Sequence, residues 1–231
     1  MKYEFIWAVL DQHCPKGCNM DVQDNLKIIH TVDGAVLSNR YGKSIIASHD
    51  VGLISIPSGE IVMADSTRQF EIADFKRKTF QQRVQPGIYP VIAYSAKSQN
   101  DCSLAFAEIR FTDQFPATFS AAKTILDAEQ SRRRYCGYVV DDAATGFMDG
   151  QFFRDACMQP QFSSLHLPID FDELLEENQD ECGLSCAAAI SPEGNYSAAL
   201  FTVPSGIYYW YWGKDKKGKI CCLIADFFTF L

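Results

Sequence analysis

The chain has 231 residues, 47% of them apolar and 13% aromatic, with a formal net charge of −8. That length and apolar content support a sizeable packed core, which excludes a disordered chain. The acidic balance excludes a protein whose main work is neutralising phosphates, because nucleic-acid affinity comes from clustered Lys and Arg.

In chain order, the apolar run Phe5 to Leu10 is flanked by Glu4 and Asp11 and is too short for a signal-peptide core. No later stretch approaches the roughly 20 apolar residues needed to span a bilayer. These features predict a cytoplasmic protein without membrane contact, whose nine cysteines are mostly thiols. Cys14 and Cys18 share a spacing with Cys182 and Cys186, and His13 adjoins the first pair. Four thiolates are a zinc-ligand set, but the pairs lack the tighter spacing usual in zinc knuckles, and small core residues are the plainer reading. No cofactor is therefore expected, zinc at these four positions being the alternative.

Leu26 to His30 and Ala35 to Leu37 are apolar runs separated by Asp33 and Gly34, which predicts a hairpin. Ser44 to Ile56 reads as a strand, and Pro57 to Asp65 as a turn entering another. Pro86 to Tyr94 is a further strand, with Pro90 marking an edge or bulge. Leu104 to Phe111 alternates Phe106, Glu108 and Arg110 against Ala105, Ala107, Ile109 and Phe111, which predicts a sheet with one wet face. Thr118 is placed to cap a helix running to about Ala128. The basic run Arg132 to Arg134 reads as a solvated helix end.

Gly137 to Gly150 is the central stretch. Tyr138, Val139 and Val140 end a strand, Ala143 to Gly146 make a tight connection, and Asp149 caps a following helix. Asp141, Asp142 and Asp149 also form a candidate hard-cation set, although the spacing is not that of a calcium loop. Ile169 to Glu181 carries seven carboxylates, with Asp170 and Glu173 spaced as a capping box for a short acidic helix. Gly206 to Trp212 and Ile220 to Phe230 read as antiparallel strands joined by a lysine-rich turn, with Tyr208, Trp210 and Trp212 on one face. ProSerGly recurs at Pro57 and Pro204, and GlyIleTyr at Gly87 and Gly206.

The order of ProSerGlyGluIleValMetAlaAsp (Pro57 to Asp65), ProGlyIleTyrProVal (Pro86 to Val91), ValAsp with a downstream PheMetAsp (Val140 to Asp149), TyrTrpGlyLysAspLysLysGly (Tyr211 to Gly218) and LeuIleAlaAspPhe (Leu223 to Phe227) resembles the bacterial domain of unknown function family 4241. The resemblance covers roughly residues 52–231 and implies a compact bacterial protein without an assigned activity. Ala143 and the ProSerGly at Pro204 to Gly206 depart from the family's glycine-rich phrases.

These readings predict one mainly β domain over residues 1–231, with N-terminal strands in 1–51 packed onto 52–231. The fold expected is α+β, with antiparallel sheets forming a two-layer sandwich and a few short helices. A binding role is favoured over an enzymatic one, because His13, His30, His49 and His166 lie in unrelated surroundings and no nucleophile has a recognisable base beside it. The expected function is that of an immunity-type protein that neutralises a basic toxin. Asp170, Asp172, Glu173, Glu176, Glu177, Tyr208, Trp210 and Trp212 would meet that basic protein partner. The enzymatic or metal-binding alternative gathers Asp141, Asp149 and Asp226 at strand ends.

Overall fold

The computed structural model describes residues 26–30, 34–39, 42–64, 72–98, 102–129, 137–140, 144–158, 171–179, 184–191 and 197–227. The architecture is β-rich α+β, and its sheets are antiparallel throughout the described ladders. A large sheet contains β1 (Val36–Asn39), β2 (Gly42–Ile56), β4 (Gly87–Lys97), β5 (Cys102–Arg110), β12 (Ile220–Asp226), β11 (Gly206–Lys214) and β6 (Thr118–Ala121), in that spatial order. β7 (Tyr138–Val140) pairs with the first residues of β11, and β6 pairs with its last. A smaller sheet has the order β3 (Ile61–Ala64), β8 (Ala144–Asp149), β10 (Ser197–Thr202), β9 (Cys186–Ile190).

The two sheets share one core. Ile61, Met63, Phe147, Ala199 and Phe201 from the small sheet meet Val91, Leu104, Ile109, Trp210, Trp212 and Leu223 from the large one. At its centre Phe80 sits edge-on to Trp210 and Trp212, with ring centroids 5.9 and 5.7 Å apart, and Phe147 approaches Trp210 at 4.8 Å. Edge-to-face contacts let the positive rim of one ring meet the negative face of another, so this cluster gains beyond simple area burial. Gly146 allows β8 and β10 to approach: a Cβ there would lie 2.0 Å from the Ala199 carbonyl oxygen.

Among the described residues, short helices flanking the sheets include α1 (Phe75–Lys78), α2 (Ile125–Glu129), α3 (Gly150–Met158) and α4 (Phe171–Glu177). Phe152, Phe153 and Ala156 of α3 pack with Leu175 of α4 against Val62, Met148, Ala198 and Leu200 on the outer face of the small sheet.

Several local expectations are corrected. Residues 26–29 form a helical turn, not the first strand of a hairpin. Leu26 and Ile29 fall three apart and bury together, a helical spacing that outweighs the Asp33–Gly34 turn signal. Thr118 begins β6, whose edge pairing with β11 takes the residues expected in a helix. The helix starts later, where Thr124 Oγ1 receives the Asp127 amide at 3.2 Å and Asp127 Oδ2 receives the Thr124 amide at 3.2 Å. Ala144 to Gly146 belong to β8 and not to a connection, because their small side chains suit a strand buried on both faces. The wet face expected on β5 is covered: Glu108 is only 1% exposed.

Pro90 follows its expectation. It pairs with Leu53 of β2, while the β4–β5 ladder begins one residue later at Val91↔Ile109, so Pro90 stands where β4 has an open side.

Candidate functional site

The turn after β2 and the junction of β8 with α3 are knitted together. Asp149 Oδ1 accepts the Gln151 amide at 2.7 Å as the α3 N-cap, and Oδ2 accepts the Ser58 amide at 2.9 Å and the Ser58 hydroxyl at 2.6 Å. The Gly150 amide donates to the Glu60 carbonyl at 2.9 Å. The buried Glu60 carboxylate is held between Arg83 and Arg154, which satisfies a charge that would be costly alone. Gly59 has φ +71°, and a Cβ there would lie 2.5 Å from the Val84 carbonyl oxygen, so this turn docks flush on residues 83 and 84.

Those residues form one wall of an open groove of about 1010 Å³. Arg83, Tyr89, Phe111, Phe115 and the lysines of the β11–β12 turn line it. Tyr89 meets Phe111 edge-on at 5.0 Å, and Phe115 is 67% exposed. The turn is set by Asp215, whose Oδ1 accepts the Lys217 and Lys219 amides at 2.8 and 2.9 Å. Its carboxylate is engaged with backbone, while Lys216, Lys217 and Lys219 have no ion-pair partner among the described residues. An acidic chain thus presents a cationic, aromatic concavity.

A second cluster lies on the other side of the large sheet. Glu108 Oε1 accepts from His30 Nε2 at 2.9 Å, and Oε2 accepts from the Tyr94 hydroxyl at 2.6 Å and Arg110 Nη2 at 3.1 Å. Burial alone would raise the Glu108 pKa, but the hydrogen bond and charge of His30, then Arg110 and Tyr94, bring it down to about 2. Burial would lower that of His30, but the hydrogen bond and charge of Glu108, with the Leu26 carbonyl, raise it. Burial and the adjacent Glu108 push the Tyr94 phenol upward. Cys221 and Cys222 adjoin this cluster; a register shift in the β11–β12 ladder between Gly213 and Lys214 turns both into the same packing group. Their mutual hydrogen bond holds the Cys221 thiol down and pushes the Cys222 thiol up.

The expected site residues that the structure describes lie on separate elements. Asp141, Asp142, Asp170, Cys14, Cys18 and Cys182 lie outside the described residues. Asp149 ends β8 in the small sheet and is occupied by Ser58 and the α3 amides, whereas Asp226 is buried in β12 of the large sheet. The structure does not bring these two aspartates into one ladder. Tyr208, Trp210 and Trp212, 3%, 0% and 1% exposed, are a correction: they fill the shared core and offer no partner surface. The face of β11 that carries them is roofed by the small sheet, and the half-buried Tyr209 and Tyr211 lie on its other face. Glu173, Glu176 and Glu177 are exposed on α4, anchored by the buried Leu175; Asp172 belongs to the same helix. Cys186 is half-buried in β9.

The sequence reading missed the groove and the His30–Glu108 cluster. The groove's signal was a lysine-rich turn following a strand of aromatics. The cluster's signal was a glutamate in the middle of an apolar strand, a position that requires a partner.

No helix among the described residues is long and apolar enough to cross a membrane. No curated protein and no solved structure matches the chain. The phrases that build the knitted corner, the groove and all but the last two residues of the final hairpin phrase fall within residues 54–225, which match the model of a family described as a protein of unknown function, and the chain belongs to that family, DUF4241.

Proposed function

We propose that this is a cytoplasmic binding protein that holds a protein partner, and that the groove receives an acidic, apolar-anchored segment of it. The observation that carries the reading is the union of the exposed Phe115 with Lys216, Lys217 and Lys219, cations without a partner among the described residues, on a chain of net charge −8. Aromatic anchors supply apolar area at low entropic cost, and the lysines select for carboxylates and steer the encounter.

A second reading rests on a different surface. Glu173, Glu176 and Glu177 are spaced to share one side of α4 and are exposed, which fits an immunity-type contact with a basic toxin. The two readings part on one experiment: capture of partners by the tagged full chain from its own cells over a salt series, with two charge-reversed variants. Lys216→Glu/Lys217→Glu/Lys219→Glu abolishes capture in the first reading and Glu173→Lys/Glu176→Lys/Glu177→Lys in the second. Salt-sensitive capture that survives both variants refutes both.

A further inference from the structure

We propose that His30, Glu108 and Cys222 form a binding site for a borderline divalent cation of the zinc class, held by His30 Nε2, Glu108 Oε1 and Cys222 Sγ. Their donor atoms all lie within 4.8 Å of one another. Zinc bonds of about 2.0–2.3 Å put tetrahedral donors roughly 3.3–3.8 Å apart. The His30 Nε2–Glu108 Oε1 pair, now at 2.9 Å, opens slightly, and no other separation needs to close by more than about 1 Å. Imidazole, carboxylate and thiolate together favour zinc over the hard cations, which want oxygen alone.

The surrounding contacts have the form of a metal site's outer shell. Ligating histidines fix their orientation through the other ring nitrogen, and His30 Nδ1 hydrogen-bonds to the Leu26 carbonyl at 2.8 Å. Ligating carboxylates are themselves hydrogen-bonded: Glu108 receives Tyr94 and Arg110 Nη2 on Oε2, while Oε1 has only a long 3.5 Å approach of Arg110 Nε beside the His30 bond that the cation would replace. The hydroxyl of Tyr94 and the guanidinium of Arg110 are also 3.3 Å apart, so the shell is internally braced.

Charge balance is consistent with the exchange. The Leu26 carbonyl and the Glu108 carboxylate can only accept, so in the metal-free protein both His30 nitrogens carry protons. Zinc uptake releases the Nε2 proton and the Cys222 thiol proton: two Zn–ligand bonds replace an N–H and an S–H, Glu108 adds the third, and no electron moves. Before and after, the cluster with Arg110 carries the same net charge. His30 lies outside the span matched by the family model, so the site is completed by the N-terminal turn.

The test uses the full chain after chelator treatment, titrated with zinc against a chromophoric competitor and separately with cobalt(II). The expected result is stoichiometric uptake with proton release, and a sulfur-to-cobalt charge-transfer band. Cys222→Ser abolishes the band, whereas the combined Cys14→Ser/Cys18→Ser/Cys182→Ser/Cys186→Ser variant keeps it. Tyr94→Phe keeps the ring but removes a hydrogen bond to Glu108, and weakens zinc binding by about 10–100-fold. Absence of stoichiometric uptake overturns the proposal, as does a band kept by Cys222→Ser and lost from the four-cysteine variant. Where Cys222→Ser fails to fold, unchanged zinc affinity in Tyr94→Phe overturns it equally.

Discussion

Asp149 receives the Ser58 hydroxyl at 2.6 Å while capping α3 with its other oxygen, so one buried carboxylate joins the turn after β2 to the start of a helix 91 residues away. Asp149→Ala removes a cap and a charge-assisted hydrogen bond together and is expected to cost about 2–4 kcal/mol in urea unfolding. Ser58→Ala, which leaves the cap in place, costs about 1 kcal/mol. Equal losses in the two variants contradict this division.

Gly146 lies in the centre of β8 with no room for a side chain. Gly146→Ala forces the Ala199 backbone away and is expected to destabilise by at least about 3 kcal/mol, seen as a fall in the thermal midpoint. A variant with an unchanged midpoint contradicts the observed β8–β10 approach.

The groove lysines are exposed and carry no ion pair among the described residues. Their triple reversal to glutamate is expected to shift unfolding free energy by no more than about 0.5 kcal/mol per site. A large loss of stability shows that the turn does structural work and removes it as a clean probe of binding.

The cluster predicts a pH profile for the metal-free protein. Glu108 has a folded pKa of about 2, below its ordinary 4.5, so its stabilising contribution is complete above 4.5 and is lost as pH falls toward 2. His30 has a folded pKa raised above 6.5, so its contribution is complete below 6.5 and is lost as pH rises through the raised value. Arg110, Tyr94, Cys221 and Cys222 are the other charged or titratable groups facing the pair. The pair therefore stabilises most between about 4.5 and 6.5. In Glu108→Gln/His30→Gln, compared with wild type by denaturant midpoints across pH, the difference narrows on both sides of that window.

Removing one partner alone is expected to be worse than removing both. Glu108→Ala leaves His30 and Arg110 without their carboxylate, at a cost of about 3–5 kcal/mol. Replacing Glu108 and His30 together costs less than the two single losses summed, which a double-mutant cycle measures.

The recurrent phrase GlyIleTyr was visible as text and has a structural counterpart. Tyr89 donates its hydroxyl to the Gln85 carbonyl, and Tyr208 donates to Pro204, each reaching back four residues at the start of a strand in the same sheet. The last hairpin, the strand starting in β2, the Asp149 cap and the acidic α4 were likewise legible, because alternation, turn residues and caps act over a few neighbours. The β6 strand and the buried face of β5 were not, since a partner distant in sequence decided each.

By itself the sequence determined a β-rich, acidic, packed chain with short helices and a family resemblance running through its turns, all consequences of local periodicity and composition. Only the tertiary structure decided which face of β11 is core, which lysines share a groove with Phe115, and that His30 reaches Glu108 across 78 residues. The physical reason is that a strand's alternation defines two faces but does not say which one another layer will cover, and a buried charge identifies its partner only when the chain has brought the two together.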